Sequence, residues 1–302
     1  MLNYDFMQNA FIAGTIVSIM AGYIGVFVMA RNMSFISHTL SHVGFAGAAF
    51  AVFLGINPIY GLLIFTITMS YLVGHLSVKA FRREATVSVM LGIFLGLGLL
   101  FLSLTPKSTS YVNSILFGSV VSITRDDVKL IFTLALTVII LLSIFYRKIK
   151  FDSFDSIGAK ALGLNSKLIS IFFLVLLSVA TSITVPVVGA LLMFVLLTVP
   201  ASAARYLTNK VGYMIAISIS FALIGTWAGI ALSYYTSLPT TFFIASIEGL
   251  FYFISLGYFN LRNKKQSWTL CSRLFFLICF YRISNSFISS RLNFIKSISY
   301  NF

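Results

Sequence analysis

His38 and His42 lie four residues apart inside an apolar stretch, residues 33–54, that is long enough to cross a bilayer. On a helix, positions i and i+4 share a face, so both imidazoles project the same way, with Ser34 and Ser41 on the same stripe. Neutral imidazole is a good ligand for zinc and its neighbours among the divalent transition metals. Ionisable groups at membrane depth are costly and usually serve a function. Two readings are open: a pair of ligands for a divalent cation, or a helix-packing pair satisfied by hydrogen bonds to neighbouring helices.

The elements that must carry such a pair follow from composition. Hydrophobic residues make up 59% of the 302, charged residues only 9%, and the mean hydropathy is +1.00, whereas a soluble domain has roughly 25% charged residues. The expected fold is all-α, a polytopic transmembrane helical bundle of roughly eight or nine spans. Nine candidates occur: residues 10–30, 33–54, 59–78, 86–104, 128–146, 168–185, 188–204, 213–233 and 241–259. The count changes if residues 111–123 enter the membrane as a re-entrant piece. The first apolar run has no Lys or Arg before it and no convincing cleavage site, so it is expected to remain in the mature protein.

The net charge of +14 would suggest nucleic acid in a soluble chain. Here the bases sit in short loops and read as orientation signals. With the N-terminus outside, the cytoplasmic side collects Arg31, Lys79, Arg82, Arg83, Arg147, Lys148, Lys150, Lys160, Lys167, Arg205, Lys210, Arg262, Lys264 and Lys265, and the outside only Lys107, Arg125 and Lys129. That bias predicts an external N-terminus and a cytoplasmic C-terminus. Cys271 and Cys279 both fall near the C-terminal end and support neither a disulfide framework nor a thiolate metal site.

Within the spans, small residues recur: Gly44, Gly47 and Ala48; Gly92, Gly96 and Gly98; Gly225 and Gly229. They let helix backbones approach closely in lipid. Pro186 and Pro200 bracket the seventh span, where one could kink a helix and the other end it. His75, beside Lys79, reads as a boundary residue. Glu248 lies within the ninth span, and three roles are open to it: balancing a base such as Arg205, lining a translocation path, or packing as a neutral acid. Tyr234 and Tyr235 suit an aromatic interfacial belt.

The loop 147–167 contains a stretch, 152–164, that reads as one short amphipathic helix. Asp155 favours its N-terminal end, Ile157, Ala161 and Leu164 form an apolar face, and Gly163 is placed to terminate it. Such a helix either docks a soluble partner or rests on the headgroups. The chain has no G-x-x-x-x-G-K-[ST] phosphate loop, no Gly-Lys dipeptide and no H-E-x-x-H, so neither ATP hydrolysis nor another enzyme activity is expected of it. Transport remains, with any ATP-derived work supplied by another polypeptide.

Four stretches, in order across residues 11–261, carry a family likeness: Met33-Ser34-Phe35-Ile36-Ser37-His38-Thr39-Leu40-Ser41-His42 with Gly47 following; Leu116-Phe117-Gly118-Ser119; the Phe151-Asp152 loop ending Ala161-Leu162-Gly163; and Val188-Gly189-Ala190-Leu191-Leu192 through Pro200-Ala201-Ser202-Ala203-Ala204-Arg205. The chain resembles the membrane permease subunits of bacterial ABC importers (the ABC-3 family) that take up zinc, manganese or iron with a cluster-type metal-binding protein. The resemblance implies a permease in the bacterial cytoplasmic membrane. By the same resemblance it is expected to pair with a copy of itself or a relative, two cytoplasmic ATPase subunits, and an external metal-binding lipoprotein or periplasmic protein.

It also implies that the loop holding Asp152, Asp155, Ala161 and Gly163 is the coupling helix to the ATPase. Many family members carry Asp where this chain has His38. Two imidazoles form a softer, more nitrogen-rich site than a carboxylate with one imidazole, which tilts the expected cargo toward zinc. No resident cofactor is expected, the metal being cargo, and no nucleic-acid partner. Competing readings are a proton-coupled secondary metal carrier using His38, His42 and Glu248, and an ABC permease for manganese, iron or a siderophore. Residues 1–262 are expected to form the permease domain. The tail 263–302 holds bases and no acid, and an interfacial position on the membrane lipid suits it.

Overall fold

The computed structural model describes residues 4–76, 80–105, 123–236 and 238–262. Eleven helices occur among them and no strand: α1 (Asp5–Ala30), α2 (Ser34–Leu54), α3 (Pro58–Leu76), α4 (Ala80–Leu104), α5 (Arg125–Ile144), α6 (Tyr146–Phe154), α7 (Ser156–Ala161), α8 (Ser166–Val188), α9 (Ala190–Leu207), α10 (Val211–Thr236) and α11 (Thr240–Arg262). Eight are long and apolar enough to cross a membrane, and the shorter α9 is apolar as well. Together they correspond to the nine runs seen in the sequence. A helix suits lipid because, without water, its backbone satisfies its hydrogen bonds within the span itself. The Leu116–Ser119 motif, both cysteines and the tail 263–302 lie outside the described residues. By its contacts the chain divides into two units, residues 1–255 and 256–302. Among the described residues, the second unit holds only the last turns of α11, and the packed bundle of spans belongs to the first.

Helices α1, α2 and α8 are mostly buried, while α4, α5 and α11 have few buried residues. Helix α2 packs against α3 and α4, α1 against α10 and α9, and α3 against α8. Small residues set two of these contacts. Gly47 on α2 and Gly61 on α3 meet backbone to backbone, each occupying the place a side chain on the other would need. Gly98 lies against the Ala46 backbone, whereas Gly92 and Gly96 face open space, so only one of those three glycines serves packing. Hydroxyls add links across helices: Thr66 and Ser182 share a hydrogen bond of 2.7 Å between α3 and α8, and Ser18 donates to Thr226 at 2.8 Å between α1 and α10.

Local signals explain most boundaries. Thr124 caps α5 in a reciprocal box: its hydroxyl accepts from the Asp127 amide, and the Asp127 carboxylate accepts from the Thr124 amide, each at 3.2 Å. The α1–α2 turn is closed by Asn32, with φ of 53°, a left-handed conformation that Asn tolerates better than most residues. One expectation is corrected here. Residues 152–164 are not one helix: the backbone turns at Asp155 (φ −142°, ψ 80°), ending α6 and starting α7. Of the two prolines, Pro186 lies in the last turn of α8 and Pro200 inside α9, which continues to Leu207.

Candidate functional site

The α1–α2 turn sets where the histidines begin. Helix α2 starts at Ser34, so His38 and His42 stand on its second and third turns. Their ring centroids are 4.7 Å apart at 67°, and the His38 ring meets Phe194 of α9 edge-on at 5.4 Å. Both histidines are half-buried. Nearby hydroxyls turn back onto the helix: Ser37 donates to the Ser34 carbonyl at 2.8 Å and Ser41 to the His38 carbonyl at 2.7 Å. Ser41 is therefore committed to its own backbone, and Ser34 lies against the Met29 sulfur at 3.3 Å.

Neither imidazole has a hydrogen-bonding side chain or carbonyl among the described residues. The hydrogen bonds to neighbouring helices that would satisfy a packing pair are thus not made among the described residues. No group of three or more His, Cys, Asp or Glu suited to a metal occurs among the described residues.

The other polar residues singled out from sequence separate clearly. His75 is exposed and stacked on Tyr71, with ring centroids 6.0 Å apart. Glu248 is fully buried, with neither carboxyl oxygen hydrogen-bonded among the described residues. It makes no ion pair with Arg205, which is exposed, and packs directly on Gly225 of α10.

In the loop below the spans, Asp152 and Asp155 face different environments. Asp152 is buried in an ion pair with Arg31. Asp155 is exposed and caps α7, its Oδ1 accepting from the Gly158 amide at 2.8 Å. Gly163, with φ of 75°, ends α7 as expected: its amide donates to the Lys160 carbonyl and the Leu164 amide to that of Ala159, each at 3.0 Å. Ala161 and Gly163 are exposed, as are the apolar Ile157 (83%) and Leu162 (74%). The sequence pattern puts Ile157 on the apolar face and misses Leu162, whose exposure follows from its place at the helix end.

A polytopic bundle of apolar helices, with half-buried imidazoles in one span and a short helical segment between two others, is the architecture of an integral membrane protein. The model of the ABC 3 transport family matches residues 3–258, and the chain belongs to that family. It is 30% identical to the "Manganese transport system membrane protein MntC" of Listeria monocytogenes, over 84% of this chain and 91% of that one. It is 28% identical to the "Chelated iron transport system membrane protein YfeC" of Yersinia pestis, over 82% and 84%. Among solved structures it is similar to "PsaBC from Streptococcus pneumoniae in complex with Fab", with 25% identity and a TM-score of 0.76 over 83% of this chain and 91% of that one. The chain is an integral membrane protein with several apolar spans.

Proposed function

We propose that this chain is the permease subunit of an ABC importer that carries a divalent transition metal across the cytoplasmic membrane, with ATP hydrolysis supplied by separate subunits. The observation that carries the reading is the His38–His42 pair, half-buried in a membrane span and without competing partners, in a chain whose relatives are named for manganese and chelated iron. Those names support metal import as a class, and neither mentions zinc. Zinc is the narrower proposal, resting on two nitrogen donors and no carboxylate.

The metal, handed over by an external binding protein, enters a path between this permease and a second copy. There His38 and His42 hold it briefly. Two ligands without a closed shell suit cargo that must leave again. On the cytoplasmic side, the α6–α7 segment docks the ATPase, with Ile157 and Leu162 as exposed apolar contacts and with Asp155, Ala161 and Gly163 shaping α7. Asp152 acts from inside, by fixing the segment to the bundle. Closure of the ATPase pair then moves this segment and opens the path inward.

The test is uptake into vesicles holding the permease with its ATPase and binding protein. His38→Ala with His42→Ala should abolish metal uptake while the complex still assembles, and uptake at the wild-type rate would remove the pair from the path. Vesicles lacking the ATPase should not concentrate the metal. Uphill accumulation there would replace this reading with a secondary carrier.

A further inference from the structure

Between the junction of α5 with α6 and the start of α8 lies a half-open cavity of about 340 Å³. Phe145, Ile149, Leu168 and Phe172 wall it, with Lys148 and Asn165 as its polar members. The rings of Phe145 and Phe172 pack at 4.8 Å, and the Lys148 ammonium lies 5.8 Å from the Phe145 ring centre. The cavity is near the small end of the roughly 300–1,000 Å³ range of ligand pockets.

Three features say what it takes. It sits where one span ends at Ile144 and another begins at Ser166, the depth at which headgroups meet acyl chains, and the charge bias places that end on the cytoplasmic side. An exposed apolar stripe, Phe132, Leu136, Ile140 and Ile144, runs along α5 at four-residue steps and ends one residue before Phe145 of the cavity wall. Such a stripe offers an acyl chain an apolar surface to follow. The charge of the segment 147–167, which carries Lys148 of the cavity, is unbalanced: Arg147, Lys148, Lys150, Lys160 and Lys167 have no acidic partner among the described residues, Asp152 being held by Arg31 and Asp155 by the α7 cap. Asn165 accepts from the Leu168 amide through Oδ1, which leaves its amide nitrogen to donate outward.

We propose that this cavity is a binding site for an anionic phospholipid of the cytoplasmic leaflet, one acyl chain following the α5 stripe into it and the phosphate held by Lys148 and Asn165. The anionic leaflet supplies the ligand, and basic residues at its surface attract it. Since Ile149 and Phe145 flank the start of α6, the lipid occupies the root of the segment that leads into α7.

The full-length chain, purified from membranes in mild detergent with phosphatidylglycerol and phosphatidylcholine in equal amounts, should retain phosphatidylglycerol preferentially by native mass spectrometry. Lys148→Gln should lower that preference about fivefold, the equivalent of ~1 kcal/mol for one surface base. Leu168→Trp, which fills the cavity, should abolish retention of either lipid, and Lys210→Gln, at another cytoplasmic turn, should change nothing. Equal retention of the two lipids, or an unchanged preference in Lys148→Gln, would overturn the proposal. So would displacement of the lipid when the ATPase subunit is added, which would make the cavity a protein contact. If Leu168→Trp does not fold, the surface variant Lys148→Glu decides alone, and retention equal to wild type rejects the site.

Discussion

Arg31 and Asp152, 121 residues apart, form a 2.7 Å ion pair whose side chains are only 4% and 5% exposed. The guanidinium also donates to the Ser153 hydroxyl at 2.8 Å and to that of Ser170 at 3.2 Å, and lies 5.1 Å from the centre of the Phe173 ring. One side chain at the α1–α2 turn thus holds α6 and the start of α8 together. The pair ties the turn before the histidine-bearing helix to the α6–α7 segment proposed to dock the ATPase.

Arg31→Ala should be strongly destabilising, by roughly 3–5 kcal/mol, because it leaves the Asp152 carboxylate buried without a counter-charge. Asp152→Asn in the same chain should recover part of that loss, since the amide needs no counter-charge. Thermal unfolding of the two single variants and the double variant measures the coupling. Additive losses would mean that the two residues do not act as a pair.

His38→Asp should shift metal preference away from zinc and toward manganese, because a carboxylate oxygen is a harder donor than an imidazole nitrogen. His42→Ala, which leaves one protein donor, should cost at least the ~10–100-fold typical of changes around a metal ligand. Competitive uptake of zinc and manganese into the same vesicles compares both variants with wild type. An unchanged preference in His38→Asp would show that selection is made elsewhere, for example by the external binding protein.

Gly47→Leu should separate α2 from α3. The Gly61 backbone occupies the place of any side chain at residue 47, and neither helix can yield without moving others. Even Gly47→Ala should cost about 1–3 kcal/mol as overpacking. Gly92→Ala, on an open face of α4, should be nearly neutral. Unfolding temperatures of the three variants in one detergent give the ranking.

These contrasts show where sequence reading ends. The spans were legible because lipid demands long uninterrupted apolar runs, and the histidine pair because it interrupts one. Gly47 and Gly92 look alike in sequence and differ only in what stands opposite. Arg31 reads as one more topological charge, and only its partner far along the chain makes it a structural clamp. The break at Asp155 was hidden because an Asp that favours a helix start within a longer polar loop also suits a continuous amphipathic helix. Gly163 was legible since a left-handed helix end favours glycine whatever surrounds it.

Glu248 gives the last prediction. Its carboxyl is wholly buried against Gly225, with no hydrogen bond and no base beside it among the described residues. A buried polar group without a partner costs free energy, and an apolar side chain of similar length removes the cost while keeping the volume. Glu248→Met should therefore raise the unfolding temperature, corresponding to roughly 1–3 kcal/mol, whereas Glu248→Ala, which leaves a cavity, should lower it. If the residue serves packing alone, metal uptake by Glu248→Met stays at the wild-type level. A more stable variant that has lost uptake would separate stability from function and make the carboxyl part of the transport cycle, which is what a proton-driven carrier would need of it.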